Sequence, residues 1–260
     1  MNVKPKKYLG QHFLTDSNVS KQIAESLQIK EKINLLEIGP GTGALTEFLN
    51  DENINLIAYE VDQESVDFLK LKYPNLNLIN EDVLKIDWNL IFKNQPFAVT
   101  GNFPYNISSQ ILFKIYDFRN DVTQMVGMFQ KEVAERVCSS NGTKKYGILS
   151  VLLQAYYDVE YLFTVDEHVF NPPPKVKSGV IRMVRNNVKK LNCDERLFFK
   201  VVKAIFNQRR KMVRNSLKSL MMGQQIDNEL MLKRPEQLSV KDFIIITNLI
   251  ESIINQQQSD

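Results

Sequence analysis

At 260 residues, 43% hydrophobic and 24% charged, the chain has the composition of an ordinary globular protein and the length of one large domain plus a small one. Its net charge of +3 excludes a uniformly basic surface, so any nucleic-acid contact must come from local clustering. Cys138 and Cys193 are too few for a disulfide framework and lack metal or redox spacing, and no apolar run approaches the ~20 residues that span a bilayer.

The first ten residues are basic but lack the apolar core of a secretory signal, which gives the expectation of a cytoplasmic protein. Lys4, Lys6 and Lys7 precede Gly10-Gln11-His12-Phe13-Leu14, a stretch that fits either a phosphate-binding arm or a solvated terminus. Val19, Ile23, Ala24 and Leu27 recur at helical spacing. Neither His12 nor His168 has a second ligand type nearby at metal spacing, so no metal is expected.

Ile33–Ile38 predicts a strand that feeds Gly39-Pro40-Gly41-Thr42-Gly43-Ala44, followed by a helix over 44–50. Glycines let a backbone approach a ligand where a side chain would collide. Gly39, Gly41 and Ala44 also fit the loose dinucleotide fingerprint, so the loop alone does not choose a cofactor. Two details discriminate: Glu37 lies inside the strand, and glycine recurs at every second position. That pattern resembles the first motif of S-adenosylmethionine-dependent methyltransferases more closely than a dehydrogenase's. The next predicted strands, 55–59 and 76–80, run into Glu60-Val61-Asp62 and Glu81-Asp82-Val83. An acid at the second strand's tip suits ribose hydroxyls. One at the third suits an adenine amino group.

A fourth apolar run, Phe97-Ala98-Val99, leads through Gly101 into Asn102-Phe103-Pro104-Tyr105. The tetrapeptide supplies an amide, a free backbone carbonyl and an aromatic face in a row, which suits a planar base with an exocyclic amino group. An Asn-Pro turn with a packed tyrosine is the plainer alternative. The glycine loop, Glu60, Asp82 and Asn102 thus follow four successive strands, whose carboxyl ends line one edge of a parallel sheet.

Further on, the pattern predicts a helix over 107–116, a strand over 124–129, a helix over 131–138, a loop over 139–145, a helix over 146–157 and strands over 159–163 and 179–184. Phe170-Asn171-Pro172-Pro173-Pro174 is stiffened by its prolines, so Phe170 is either held at a site's rim or buried in the core. The basic stretch 185–192 sets the boundary, giving a first domain over 1–188 and a helical domain over 189–260. From Arg196 to Lys218 stand eight basic residues and no acidic one. On an unbroken helix Lys200, Lys203, Lys211, Arg214 and Lys218 share one stripe. The stripe is either a solvated face or an RNA surface. Helices are predicted over 226–233 and 240–254.

Five segments, Gly-Gln-His-Phe-Leu, Glu-Ile-Gly-Pro-Gly-Thr-Gly, Asn-Phe-Pro-Tyr-Asn-Ile-Ser, Phe-Asn-Pro-Pro-Pro-Lys-Val and Asn-Gln-Arg-Arg-Lys-Met-Val-Arg-Asn-Ser-Leu, occur together and in order. The chain closely resembles the bacterial small-subunit ribosomal RNA adenine N6,N6-dimethyltransferases from about Lys7 to Leu249. The resemblance implies a Rossmann-like α/β methyltransferase sheet with helices on both faces, a small all-helical C-terminal domain, and S-adenosylmethionine as cofactor. It places His12 and Leu14 beside the methionine portion, Gly39 and Gly41 beneath it, Glu60 on the ribose, Asp82 on the adenine and Asn102 beside the methyl donor. Many members have Asn where His12 stands. Asn102 and Phe103 are expected to receive the target amino group, with Tyr105 and Phe170 clamping the base by stacking. Arg209, Arg210, Lys211 and Arg214 are the expected RNA contacts.

The implied partner is small-subunit ribosomal RNA within an immature 30S-type subunit. The implied product is dimethyladenosine at two adjacent adenosines of a hairpin loop near the 3′ end, made by a monomer that also acts late in ribosome assembly. Relatives that dimethylate large-subunit RNA and confer macrolide resistance share the catalytic domain, but the Arg-Arg-Lys-x-x-Arg-Asn-Ser-Leu segment looks like the small-subunit branch. A non-catalytic assembly checkpoint, a DNA adenine methyltransferase and a dehydrogenase are the competing readings. A DNA enzyme normally carries a larger DNA-reading domain than about 70 residues. A dehydrogenase leaves Asp82, the tetrapeptide and the basic run without purpose.

Overall fold

The computed structural model describes residues 3–29, 31–221 and 223–258. They divide into two compact units: the chain up to Glu135 with Asp158–Arg185, and Arg136–Tyr157 with the chain from Asn186 onward. The division differs from a single cut after residue 188, because the 136–157 segment belongs with the C-terminal helices. Leu149, Val151, Leu152 and Leu153 are buried there, on a helix that packs against two others of the second unit.

The first unit is built on a seven-stranded sheet. In chain order it contains β1 (Phe13–Leu14), α1 (Ser17–Glu25), β2 (Ile33–Ile38), β3 (Ile54–Tyr59), α2 (Gln63–Lys72), β4 (Asn77–Ile79), α3 (Trp88–Ile91), β5 (Phe97–Asn102), α4 (Ser108–Asp117) and β6 (Val122–Gln130). α5 (Lys131–Cys138) and α6 (Ile148–Gln154) lead to β7 (Tyr157–Val165), β8 (Phe170–Asn171) and β9 (Ser178–Arg185). Strand order is β4-β3-β2-β5-β6-β9-β7. β2 to β6 pair in parallel, whereas β9 is antiparallel to β6. The chain builds outward from β2 through β3 to β4, then crosses back to β5. Ligands bind in open α/β sheets at such a reversal, outside the carboxyl ends of the strands.

β2, β5 and β6 are nearly continuous apolar runs because helices cover both faces of a parallel sheet. Asp16, Asp62 and Asp87 cap α1, α2 and α3, each accepting from a backbone amide of the first turn. The helix expected over 44–50 is instead a series of turns ending in a 3-10 turn at Thr46–Phe48. There the Thr46 hydroxyl donates to Glu37 Oε2 at 2.9 Å, tying the chain to β2. The two-residue ladder of β1 and β8 has no counterpart in the sequence pattern, since strands this short show no periodicity.

In the second unit α7 (Glu195–Asn207), capped by Asp194, buries Phe198, Val201, Val202, Ile205 and Phe206. The Phe206 ring meets Tyr146 at 6.0 Å and Phe243, on α9 (Val240–Gln258), at 5.7 Å. α7 does not continue through Lys218. The buried face would next fall on Arg209, which is only half-buried; the helix ends at Asn207, and a short α8 (Val213–Ser216) follows, in which Val213 is buried. The single stripe from Lys200 to Lys218 is therefore not formed. The helix expected over 226–233 is a 3-10 turn at Glu229–Leu232.

Candidate active site

The carboxyl ends of β2, β3 and β5 open into a cleft lined by Gly39–Thr42, Glu60, Val61 and the run Asn102–Tyr105. The N-terminal arm covers it, with Leu9 to Leu14 forming one wall. Its path is set by contacts within this unit. The Lys6 ammonium pairs with the buried Asp62 carboxylate, to which Gln11 Nε2 also donates at 3.1 Å. Burial alone would raise the Asp62 pKa, but Lys6, Gln11 and Ser65 together hold it below the ordinary range. Lys6 is thus committed inside the protein, which weakens the reading of the arm as a phosphate binder.

At the loop after β2, Gly41 has φ +57°, and a Cβ there would stand 3.0 Å from the Phe13 ring. Only glycine combines that backbone with that contact. The Gly41 amide donates to Glu60 Oε2 at 3.0 Å, and the Asp62 amide donates to Glu60 Oε1 at 2.9 Å. Burial raises the Glu60 pKa, opposed by these amides. Glu37, at the cleft floor, is 1% exposed. Its Oε2 accepts from Thr46, while Oε1 is buried with no partner among the described residues. Burial pushes its pKa up to about 8, against the pull of Thr46 and with the help of the Glu60 charge. An unpaired buried carboxyl above a glycine loop suits a ligand that brings its own donors. In the sequence Glu37 stands out as the acid that opens the glycine-rich pattern, with no ligand contact assigned to it.

The tetrapeptide Asn102–Tyr105 lines the cleft against the N-terminal arm. Asn102 Nδ2 donates to the His12 carbonyl at 2.9 Å. A carbonyl can only accept, so this bond turns the amide and presents Oδ1 on its other side. His12 Nδ1 donates to the Pro172 carbonyl at 2.7 Å, and its ring stacks on Tyr105 with centroids 5.4 Å apart. Tyr105 Oη lies 2.6 Å from Ser178 Oγ. His12, Leu14, Gly39, Gly41, Glu60, Asn102, Phe103 and Tyr105 therefore meet at one cleft. The Phe103 ring is buried, leaving its backbone as the part available to a ligand.

Two expected site residues stand elsewhere. Asp82 lies in the turn after β4, outside the cleft lining, where Oδ1 accepts from the Leu84 amide at 3.0 Å and Oδ2 is 3.7 Å from Lys85 Nζ. Phe170 requires correction as a base clamp. It pairs with Leu14 in the β1–β8 ladder, is 3% exposed, and packs with Ile23, Leu35 and Val180 in the core. Its apolar ring gains more from that core than from a solvated rim. In the second unit Arg210, Lys211 and Arg214 are exposed, whereas Arg209 is half-buried and donates to the Lys144 carbonyl. No group of three or more His, Cys, Asp or Glu among the described residues could hold a metal.

The sequence profile described as ribosomal RNA adenine dimethylase matches residues 2–252. The chain is 54% identical over 253 residues to the ribosomal RNA small subunit methyltransferase A of Flavobacterium johnsoniae, covering 96% of this chain and 97% of that one. It is 53% identical to the protein of the same name from Bacteroides thetaiotaomicron, covering 97% and 96%. Among solved structures, a dimethyladenosine transferase from Plasmodium falciparum has a similar fold (TM-score 0.77, 24% identity, 93% of this chain and 98% of that one). So does the 23S rRNA methyltransferase ErmE (TM-score 0.67, 25% identity, 91% and 99%). With the cleft at the sheet's reversal point and a profile match over nearly its whole length, the chain belongs to the ribosomal RNA adenine dimethylase family.

Proposed function

We propose that this protein transfers methyl groups from S-adenosylmethionine to the N6 amino groups of two adjacent adenosines in a hairpin loop near the 3′ end of small-subunit ribosomal RNA. The product is N6,N6-dimethyladenosine, made by a cytoplasmic monomer on an immature 30S-type subunit, with a further role late in assembly. The small-subunit reading is favoured over the macrolide-resistance type because identity is 54% and 53% to the small-subunit relatives but 25% to ErmE.

S-adenosylmethionine supplies a methyl group activated by its sulfonium. Gly39, Gly41, His12 and Leu14 would hold its methionine end, Glu60 its ribose and Asp82 its adenine. The single observation that carries the reading is the orientation of Asn102. The His12 carbonyl fixes the amide nitrogen, so Oδ1 is left as a preset acceptor, with the carbonyl of Phe103, next along the chain, as the second. An adenine N6 is a poor nucleophile because its lone pair is delocalised into the ring. Accepting its two hydrogens on Asn102 Oδ1 and Phe103 O favours a pyramidal nitrogen with its lone pair free to attack. Alignment supplies most of the remaining acceleration; the N–CH3 bond forms as the S–CH3 bond breaks, and the cationic nitrogen then sheds its proton to solvent, so no Asp, Glu or His base is needed. Tyr105, with one face covered by His12, would stack the extruded base on the other. Arg210, Lys211 and Arg214 would contact phosphates from the helical unit, with Arg209 contributing to that surface.

The test is transfer of tritiated methyl to small subunits purified from a strain lacking the gene, followed by nucleoside analysis. Dimethyladenosine on small-subunit RNA is the expected product. Label on large-subunit RNA alone, or none, would overturn the assignment.

A further inference from the structure

The Phe103 carbonyl and the Asn102 amide can act together only if the backbone beyond the end of β5 is held. The last ladder pairs of β5 with β6 are Gly101 with Gly127 and Asn102 with Met128, and the Phe103 amide donates to the Met128 carbonyl at 3.1 Å. The Phe103 side chain then folds back over the cross-strand glycine pair. A Cβ on Gly127 would stand 2.1 Å from Phe103 Cε2, and its next two neighbours, at 2.9 Å, are also atoms of that ring. A Cβ on Gly101 would stand 2.8 Å from Phe103 Cε1 and 2.6 Å from the Ile38 carbonyl. Neither glycine has positive φ, so the pair supplies room rather than backbone freedom. Phe129 closes the seat, with its ring centroid 4.8 Å from that of Phe103.

We propose that Gly127 is a positioning residue for methyl transfer: with Gly101 it forms a notch that seats the Phe103 ring and so fixes the Phe103 carbonyl and the neighbouring Asn102 amide. The inference rests on the reading that these two oxygens receive the amino hydrogens. A residue in the neighbouring strand, with no side chain and no contact with substrate, then sets the geometry of the transfer. A methyl group at Gly127 cannot coexist with the seated ring, and the side chain must move with the backbone that carries the acceptor. A misplacement of about 1 Å in such an arrangement costs on the order of a hundredfold in rate.

The experiment measures single-turnover transfer to undermethylated small subunits at saturating S-adenosylmethionine, together with cofactor Kd, subunit binding and thermal unfolding. Gly127→Ala is expected to slow transfer about a hundredfold. Cofactor Kd and subunit binding should stay within about threefold, well under the 1.4 kcal/mol of a tenfold change. The double variant Gly127→Ala with Phe103→Leu replaces the ring by a shorter side chain that lacks the Cε2 and Cζ positions, so that it can seat against the new methyl group with the backbone carbonyl kept, and should regain most of the loss. Four results overturn the proposal: a loss under tenfold, a Kd that weakens as much as the rate, a double variant no faster than the single one, or a rate loss matched by the unfolded fraction. If Gly127→Ala does not fold, the double variant decides alone. Folded and within tenfold of wild type, it supports the notch; slower or unfolded, it overturns it. Asn102→Ala in the same assay separates the two levels. If that variant transfers normally, the underlying reading fails. If it is inactive while Gly127→Ala is not impaired, only the notch fails.

Discussion

The carboxyl edge of the sheet and the Arg209–Arg214 stretch both look functional in sequence, yet the chain builds them in opposite ways. At the edge, acids and amides are spent on neighbours before any ligand arrives: Glu60 accepts from two backbone amides, and Asn102 is turned by His12. The basic stretch lies where a helix breaks off, and Arg210 and Lys211 project from turns. The difference is one of scaffolding. A strand end converts residue spacing into fixed geometry, whereas a run of charge on irregular backbone specifies only sign and neighbourhood. Such a surface fits an electrostatic partner, for which position matters less than density.

If the edge is preorganised at an energetic cost, the largest effect should appear at Glu37. Its carboxyl is raised to about 8, so the folded protein holds a proton that the unfolded chain releases. Stability contributed by this group is full below the ordinary carboxylate pKa of about 4.5 and is lost as pH rises toward 8. Glu37→Gln keeps the contact with Thr46 and removes the ionisation. It should stabilise the cofactor-free protein by roughly 2–5 kcal/mol at pH 8 and hardly at all at pH 4.5, read by urea unfolding. Equal shifts at both pH values would mean that Glu37 carries no such penalty.

A smaller effect sharpens the comparison at the edge's far end. On the proposed adenine contact, Asp82→Ala should weaken S-adenosylmethionine binding by about 1–3 kcal/mol, measured by calorimetry, because an acceptor is removed, although Asp82 also caps its own turn. Unchanged affinity with earlier melting would make Asp82 a turn residue only.

The smallest effect on the cofactor is expected from the second region. Replacing Arg209, Arg210, Lys211 and Arg214 by Ala should leave cofactor affinity unchanged. It should flatten the salt dependence of subunit binding by ~0.7–0.9 in log–log slope for each phosphate that is no longer neutralised. Because Arg209 also ties down the Lys144 carbonyl, melting must be followed on the same protein. A wild-type slope in a folded variant would reduce the stretch to a solvated surface.

The same contrast explains how much of the molecule is legible in its sequence. Strands β2, β3, β5, β6 and β9 are readable because apolar runs and β-branched residues survive any context. Gly39, Gly41, Glu60 and Asn102, at the ends of β2, β3 and β5, meet at one cleft as the parallel topology suggests, whereas Asp82 after β4 does not line it. What the sequence hides depends on distant partners: Phe13 pairs with Asn171, Phe170 is buried behind Leu14, and 136–157 packs with the C-terminal helices. The break after Asn207 is readable in principle, since an arginine, Arg209, occupies the next inward position of α7. Where a helix is expected after the glycine loop the chain forms turns, and Thr46 there bonds Glu37, a tertiary contact with no local signature.

In the proposed mechanism the glycine loop and Glu60 hold the cofactor, while Asn102 acts chiefly on the incoming amino group. Asn102→Ala tests it most directly, by calorimetric titration with S-adenosylmethionine and single-turnover transfer to undermethylated small subunits on the same preparation. Cofactor affinity should stay within roughly tenfold of wild type, about 1.4 kcal/mol, while transfer is lost. Near-normal transfer, or a loss of transfer fully explained by weakened cofactor binding, would contradict it.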